Sequence, residues 1–250
     1  MKNEAQLTEN TSVLRTEHIV KLFGGLRAVD DVSIHLNRHE ILGLVGPNGA
    51  GKTTMFNIIA GAFRPTSGQI YVNDVQIKKP VAHKMAKLKI GRTYQIVQPF
   101  SNLTVLENTM VGAFINTSSP KEARKKAAEV LDTLELSHKA DTPGKDLTLL
   151  DLKRMEVARA LATDPKILLL DEVMAGLNLT GSDMMMGVIR GIQKSGVSII
   201  IIEHVMRAVM GLCERIYVLS QGKLIAEGTP MEISNNRQVI ESYLGAKKHA

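Results

Sequence analysis

Ile41-Leu42-Gly43-Leu44-Val45-Gly46-Pro47-Asn48-Gly49-Ala50-Gly51-Lys52-Thr53 is the stretch that decides the fold. Its first five residues are apolar on both faces, as a strand buried in a parallel sheet is, and the remaining eight match GxxxxGK[ST]. The order strand, glycine-rich loop, helix is a phosphate cradle. Backbone N–H groups from Gly46, Asn48, Gly49, Ala50 and Gly51 turn inward on phosphate oxygens, and Lys52 supplies a point charge for the β and γ oxygens. The Thr53 hydroxyl is placed to hold Mg²⁺, and Thr54 opens the helix-compatible run Thr54-Met55-Phe56-Asn57-Ile58-Ile59-Ala60. The expected ligand is a nucleoside triphosphate with its metal, on a helix beginning near Gly51.

Two further runs read as buried parallel strands, each delivering polar groups at its C-terminal end. Ile167 to Leu170 leads to Asp171-Glu172, and Ile199 to Ile202 leads to Glu203-His204. Ligands of open α/β sheets bind outside the carboxyl ends of such strands, so these groups converge on the phosphate loop. Asp171 is then suited to the water shell of Mg²⁺, and Glu172 to orienting or deprotonating an attacking water.

The flanks read as antiparallel. Val13 to Phe23, Ala28 to Leu36 and Gly68 to Val72 are strands, and a final hairpin joins Arg215–Leu219 to Lys223–Ala226 through Ser220-Gln221-Gly222. The middle is helical. Ser119-Pro120-Lys121-Glu122 has the pattern of a capping box and opens an amphipathic helix with Ala123, Ala127, Val130, Leu131 and Leu134 on one stripe. Thr104-Val105-Leu106-Glu107 is a second start of that kind. The expectation is a mixed α/β domain over 12–245, its core at about 12–95 and 162–228. A helical subdomain covers about 96–161, and a short tail runs over 229–250.

Of the 250 residues 44% are hydrophobic and 22% charged, and no apolar run approaches the ~20 residues of a membrane-spanning helix. The N-terminus lacks the apolar core of a signal peptide, and the single cysteine, Cys213, fits a reducing cytosol. The net charge of +6 is scattered, with small clusters at Arg124-Lys125-Lys126 and Lys247-Lys248, so a solvated basic face is favoured over a surface for nucleic acid or an anionic membrane. His18, His35, His39, His83, His138 and His249 show no metal-ligand spacing.

The order Lys52, Gln95, Leu147-Thr148-Leu149-Leu150-Asp151, Asp171-Glu172, Ala175-Gly176-Leu177-Asn178 and His204 resembles the nucleotide-binding subunit of an ATP-binding-cassette (ABC) transporter, over nearly the whole chain. The stretches Phe23-Gly24-Gly25-Leu26-Arg27-Ala28-Val29, Gly91-Arg92-Thr93-Tyr94-Gln95 and Ile225-Ala226-Glu227-Gly228-Thr229-Pro230 are similar to the ATPases of branched-chain amino acid importers. The resemblance implies that ATP and Mg²⁺ are bound, that Gln95 touches the metal or water, and that His204 donates to the γ-phosphate. It also implies that Phe23 stacks on adenine and that Thr148 faces a partner's nucleotide. Its implied partners are a second cassette, in a heterodimer rather than a homodimer, two membrane permease subunits and, indirectly, a substrate-binding protein, with no nucleic acid. The place it implies is peripheral, on the cytoplasmic face of the membrane. Branched-chain amino acids, urea and short amides are the implied cargo, and 96–101 is implied to touch the membrane subunits. The other readings are a soluble cassette ATPase and a slow nucleotide switch uncoupled from transport.

The chain departs from that family where LSGGQ is expected, since Leu149 and Leu150 replace the glycines and Asp151 the glutamine. Val173 also stands where a proline usually follows the catalytic glutamate, and the segment between Asn108 and Ser119 is short. If Leu150 required a positive φ, it would cost on the order of 1–2 kcal/mol. If it is helical, its N–H still points at the phosphate, and Thr148 and Asp151 cap the helix.

Overall fold

The protein is described by a computed structural model that covers residues 12–93 and 99–245. Two sheets carry the chain. The first is antiparallel, in the order β2-β1-β4-β5, built from β1 (Ser12–Phe23), β2 (Leu26–Asn37), β4 (Ser67–Val72) and β5 (Val75–Gln76). The second has the order β10-β9-β3-β8-β7-β6. Its members are β3 (Ile41–Val45), β6 (Ile90–Arg92), β7 (Ile167–Asp171), β8 (Ser198–Ile202), β9 (Arg215–Ser220) and β10 (Lys223–Gly228). Every pairing in it is parallel except the β9–β10 hairpin.

Every residue of β3, β7 and β8 is buried, because both faces of the parallel sheet are covered. Side chains alternate across it with the strand period of two. Leu42, Leu44, Leu169, Ile200, Ile202 and Tyr217 join one core with the antiparallel sheet and α1 (Lys52–Ile59). Ile41, Val45, Leu168, Leu170, Ile199 and Ile201 join the other, beneath the remaining helices. Arg215 ties the two sheets: its guanidinium donates to Glu40 at 2.9 Å, Glu227 at 2.6 Å and the His35 carbonyl at 2.8 Å.

Between β6 and β7 run α3 (Val105–Ala113), α4 (Pro120–Thr133) and α5 (Leu149–Leu161). Thr104 and Glu107 form the expected reciprocal capping box on α3. On α4 only half of it forms. Ser119 accepts from the Glu122 amide, but the Glu122 carboxylate is taken by the Thr117 hydroxyl instead of returning to the cap. The stripe Ala123, Ala127, Val130, Leu131, Leu134 is fully buried. α6 (Leu179–Lys194) returns the chain from β7 to β8, α7 (Met206–Leu212) joins β8 to β9, and α8 (Pro230–Ser234) with α9 (Arg237–Gly245) ends the described chain. The short α2 (Ala82–Lys87) and β6 lie in a stretch where the sequence suggested no element. Among the described residues no helix is long and apolar enough to cross a membrane.

Candidate active site

The phosphate loop depends on its glycines. Gly46, Gly49 and Gly51 have φ of 148°, 77° and 101°, and a Cβ on Gly46 would lie 2.1 Å from the Leu219 carbonyl oxygen. Gly51 caps α1 without a side-chain acceptor, which leaves the first-turn amides directed at the loop. Lys52, 6% exposed, donates to the Gly46 carbonyl at 2.7 Å and the Pro47 carbonyl at 2.9 Å. Desolvation lowers its pKa, and Glu172 and Asp171 oppose that shift. The loop borders a cleft of about 780 Å³, within the range of ligand pockets. Phe23, Asn48 to Thr54, Glu172 and His204 all line it. So do Arg27, Gln221 and Gly222, which were not anticipated. The last two could have been, because β9 runs parallel beside β3 and its C-terminal turn must open on the same crevice.

Asp171 ends β7 and is 1% exposed. Its amide donates to Thr93 Oγ1 at 3.0 Å, its Oδ2 lies 3.4 Å from Arg92 Nη2, and its Oδ1 is buried with no hydrogen-bond partner among the described residues. Burial raises its pKa and the Arg92 guanidinium lowers it. The carboxylate lies close enough to Lys52 of the phosphate loop to feel its charge, and its orphaned oxygen together with the Thr53 hydroxyl would make an all-oxygen donor set that fits Mg²⁺ completed by water and phosphate.

Glu172 follows with φ 50°, a left-handed backbone that costs a non-glycine residue about 1–2 kcal/mol. Its amide donates to the Ile202 carbonyl at 2.9 Å, and its carbonyl accepts from Lys153 Nζ at 3.1 Å. Glu172 Oε1 stands 2.7 Å from His204 Nε2. The buried Glu203 holds the neighbouring turn, accepting from the Met174 amide at 2.8 Å. Burial raises its pKa, and the Met174, His204 and Val205 amides oppose this. The strained Glu172 backbone is thus held from the end of β8 and from Lys153 on α5.

Phe23 is 42% exposed, edge-on to Phe63 at 5.4 Å with Lys21 Nζ 4.9 Å from its ring, so it is not a core residue. Gln95 lies outside the described residues, as do 96–98; Phe100 beyond them is 49% exposed. Thr148 does not line this cleft. It caps α5, with Oγ1 accepting from the Asp151 amide at 3.3 Å and donating to Asp151 Oδ2 at 2.8 Å. Leu150 is helical and packs on the core, which removes the positive-φ cost considered for it. Leu149, 45% exposed, lies beside Gly176.

The ABC transporter family profile matches residues 29–175. The chain belongs to that family. A second profile, for the branched-chain amino acid ATP-binding cassette transporter, matches residues 223–249. The cassette is 38% identical over 249 residues to the high-affinity branched-chain amino acid transport ATP-binding protein LivG of Escherichia coli, covering 93% of this chain and 98% of LivG. It is 37% identical over 235 residues to the lipopolysaccharide export system ATP-binding protein LptB of Haemophilus influenzae, covering 94% and 98%. A crystal structure of the ADP conformation of an ABC transporter cassette superposes with a TM-score of 0.86 at 32% identity, covering 94% of this chain and 99% of that one. A dimeric cassette in a post-hydrolysis state with ADP and Pi superposes at 0.78 with 26% identity, covering 87% and 98%. This cassette is therefore an ABC ATPase, the nucleotide-binding motor subunit of an ABC system.

Proposed function

We propose that this cassette hydrolyses ATP to drive import of branched-chain amino acids or related small polar substrates such as urea and amides. The hydrolytic part is carried by the 2.7 Å contact between Glu172 and His204 at the rim of the phosphate-loop cleft. Lys52 and the loop amides bind the β and γ phosphates, and Phe23 takes the adenine. Glu172 positions and deprotonates the water, while His204 donates to charge developing on the γ-phosphate. Thr53 and Asp171, with Gln95, would hold Mg²⁺, which supplies charge neutralisation on the phosphate oxygens. Import rather than export is favoured by the branched-chain profile over residues 223–249, because the overall identities to LivG and LptB are nearly equal.

Thr148 lies away from its own cleft, which supports a sandwich in which each cassette completes the other's site. The altered Leu149-Leu150-Asp151 signature favours a heterodimer with a second, unaltered cassette. The assembly would sit beneath two membrane permease subunits, fed by a substrate-binding protein, with this chain peripheral on the cytoplasmic face. The core at about 12–95 and 162–228 would bind nucleotide, the helical 96–161 would face the permease, and 229–250 would form a tail. Proteoliposomes holding the co-purified complex test it: ATP-dependent uptake of leucine or urea supports import. Outward movement of a lipid-linked cargo, or failure of any membrane protein to co-purify, refutes it.

A further inference from the structure

Arg92 is a side chain beside this site to which the proposed chemistry gives no role. It ends β6, with Nη1 donating to Asn57 Oδ1 on α1 at 2.6 Å, Nε to the Thr93 carbonyl at 3.2 Å, and Nη2 to Asp171 Oδ2 at 3.4 Å. Its side chain is 11% exposed and that of Asp171 1%. The next residue reinforces the grip, since Thr93 Oγ1 accepts the Asp171 amide. The end of β6 therefore holds both the backbone and one carboxylate oxygen of Asp171, and leaves Oδ1 as the oxygen without a hydrogen-bond partner among the described residues.

We infer that Arg92 is a positioning residue for divalent metal: it fixes Asp171 through Oδ2, so that Oδ1 is presented to the Mg²⁺ of the bound nucleotide. This rests on the proposed metal role of Asp171. A buried carboxylate with one oxygen held by a planar guanidinium keeps a single orientation. Asn57 stops the guanidinium from swinging away, and because it lies on the helix that begins at the phosphate loop, metal and phosphate groups are referred to the same scaffold. Partners that orient a ligating carboxylate typically carry a 10–100-fold effect on metal affinity.

The test is the affinity of the full-length chain for a fluorescent, non-hydrolysable ATP analogue, measured in EDTA and in saturating Mg²⁺. The ratio of the two affinities reports the metal alone and cancels general damage to the nucleotide site. Arg92→Gln is expected to leave the EDTA affinity within about twofold and to cut the Mg²⁺ enhancement by about tenfold or more. Arg92→Lys should recover part of it, and Asn57→Ala should lower it more weakly. If Arg92→Gln does not fold, Arg92→Lys and Asn57→Ala decide through the same ratio. An unchanged or larger enhancement in the folded Arg92 variants, or an equal loss with and without Mg²⁺, overturns the inference. Asp171→Asn separates the two levels: if it too leaves the ratio unchanged, the metal site itself is misassigned. If it abolishes the enhancement while the Arg92 variants keep it, only the role of Arg92 falls.

Discussion

Leu150→Gly is the substitution that would restore a glycine to the signature, and the structure says that it weakens the protein. Leu150 is helical in the first turn of α5 and half-buried against the core. Glycine in a helix costs about 1 kcal/mol relative to leucine. Losing a half-buried leucine side chain removes roughly another 1 kcal/mol. The sum of about 2 kcal/mol corresponds to a fall in Tm of about 4–8 °C for a domain of this size. Leu150→Ala isolates the backbone contribution, since it loses the same contacts but keeps a good helix former. Urea unfolding of the three proteins should therefore rank wild type above Leu150→Ala, and Leu150→Ala above Leu150→Gly by about 1 kcal/mol. If Leu150→Gly is the more stable of the two variants, the residue sits in a glycine-type backbone and the helical assignment is wrong.

Glu172→Gln should bind ATP with near wild-type affinity while steady-state hydrolysis by the assembled complex drops by about 10²-fold or more, whereas Lys52→Ala should lose binding itself; wild-type turnover in Glu172→Gln would remove that residue from the base role. Gly46→Ala places a Cβ against the Leu219 carbonyl on a paired strand, so thermal melting should show a loss of about 2–5 kcal/mol together with lost nucleotide binding, and an unchanged Tm would refute the close approach. Cys213 is 7% exposed with its thiol pushed up to about 12 by burial, so iodoacetamide should label it only after unfolding. Because the unfolded thiol ionises near ~8.5, its contribution to stability is intact below that pH and is lost as pH rises toward the folded value; labelling of the native protein at pH 8 at the rate of a free thiol would contradict the burial.

The parallel core was legible because β3, β7 and β8 are continuous apolar runs ended by polar residues, and a strand buried on both faces leaves no other pattern. The same logic led from the ends of those strands to Lys52, Glu172 and His204, which border one cleft. β6 escaped notice because it is three residues long with Gly91 at its centre, too short for any periodicity. The pairing of Arg92 with Asp171 spans 79 positions and depends on β6 lying beside β7, which local sequence does not encode. The half-formed box at Ser119 marks another limit, since the Thr117 hydroxyl, donating to the Glu122 carboxylate, is invisible to a four-residue pattern. At Leu150 the sequence left two backbone states open, and its packing on the core from the first turn of α5 goes with the helical one.

Strand register works here as a measuring device. Asp171 pairs with Ile202 across β7 and β8, so Glu172 is one residue past a fixed pairing and His204 two. A slip of one step would move a strand by about 3.3 Å and turn each side chain to the opposite face. The spacing of carboxylate and imidazole is therefore written into the hydrogen-bond ladder of the most deeply buried strands. A substitution such as Ile200→Thr, remote from any phosphate, touches catalysis through alignment, and the pair keeps its separation only as long as the sheet keeps its count.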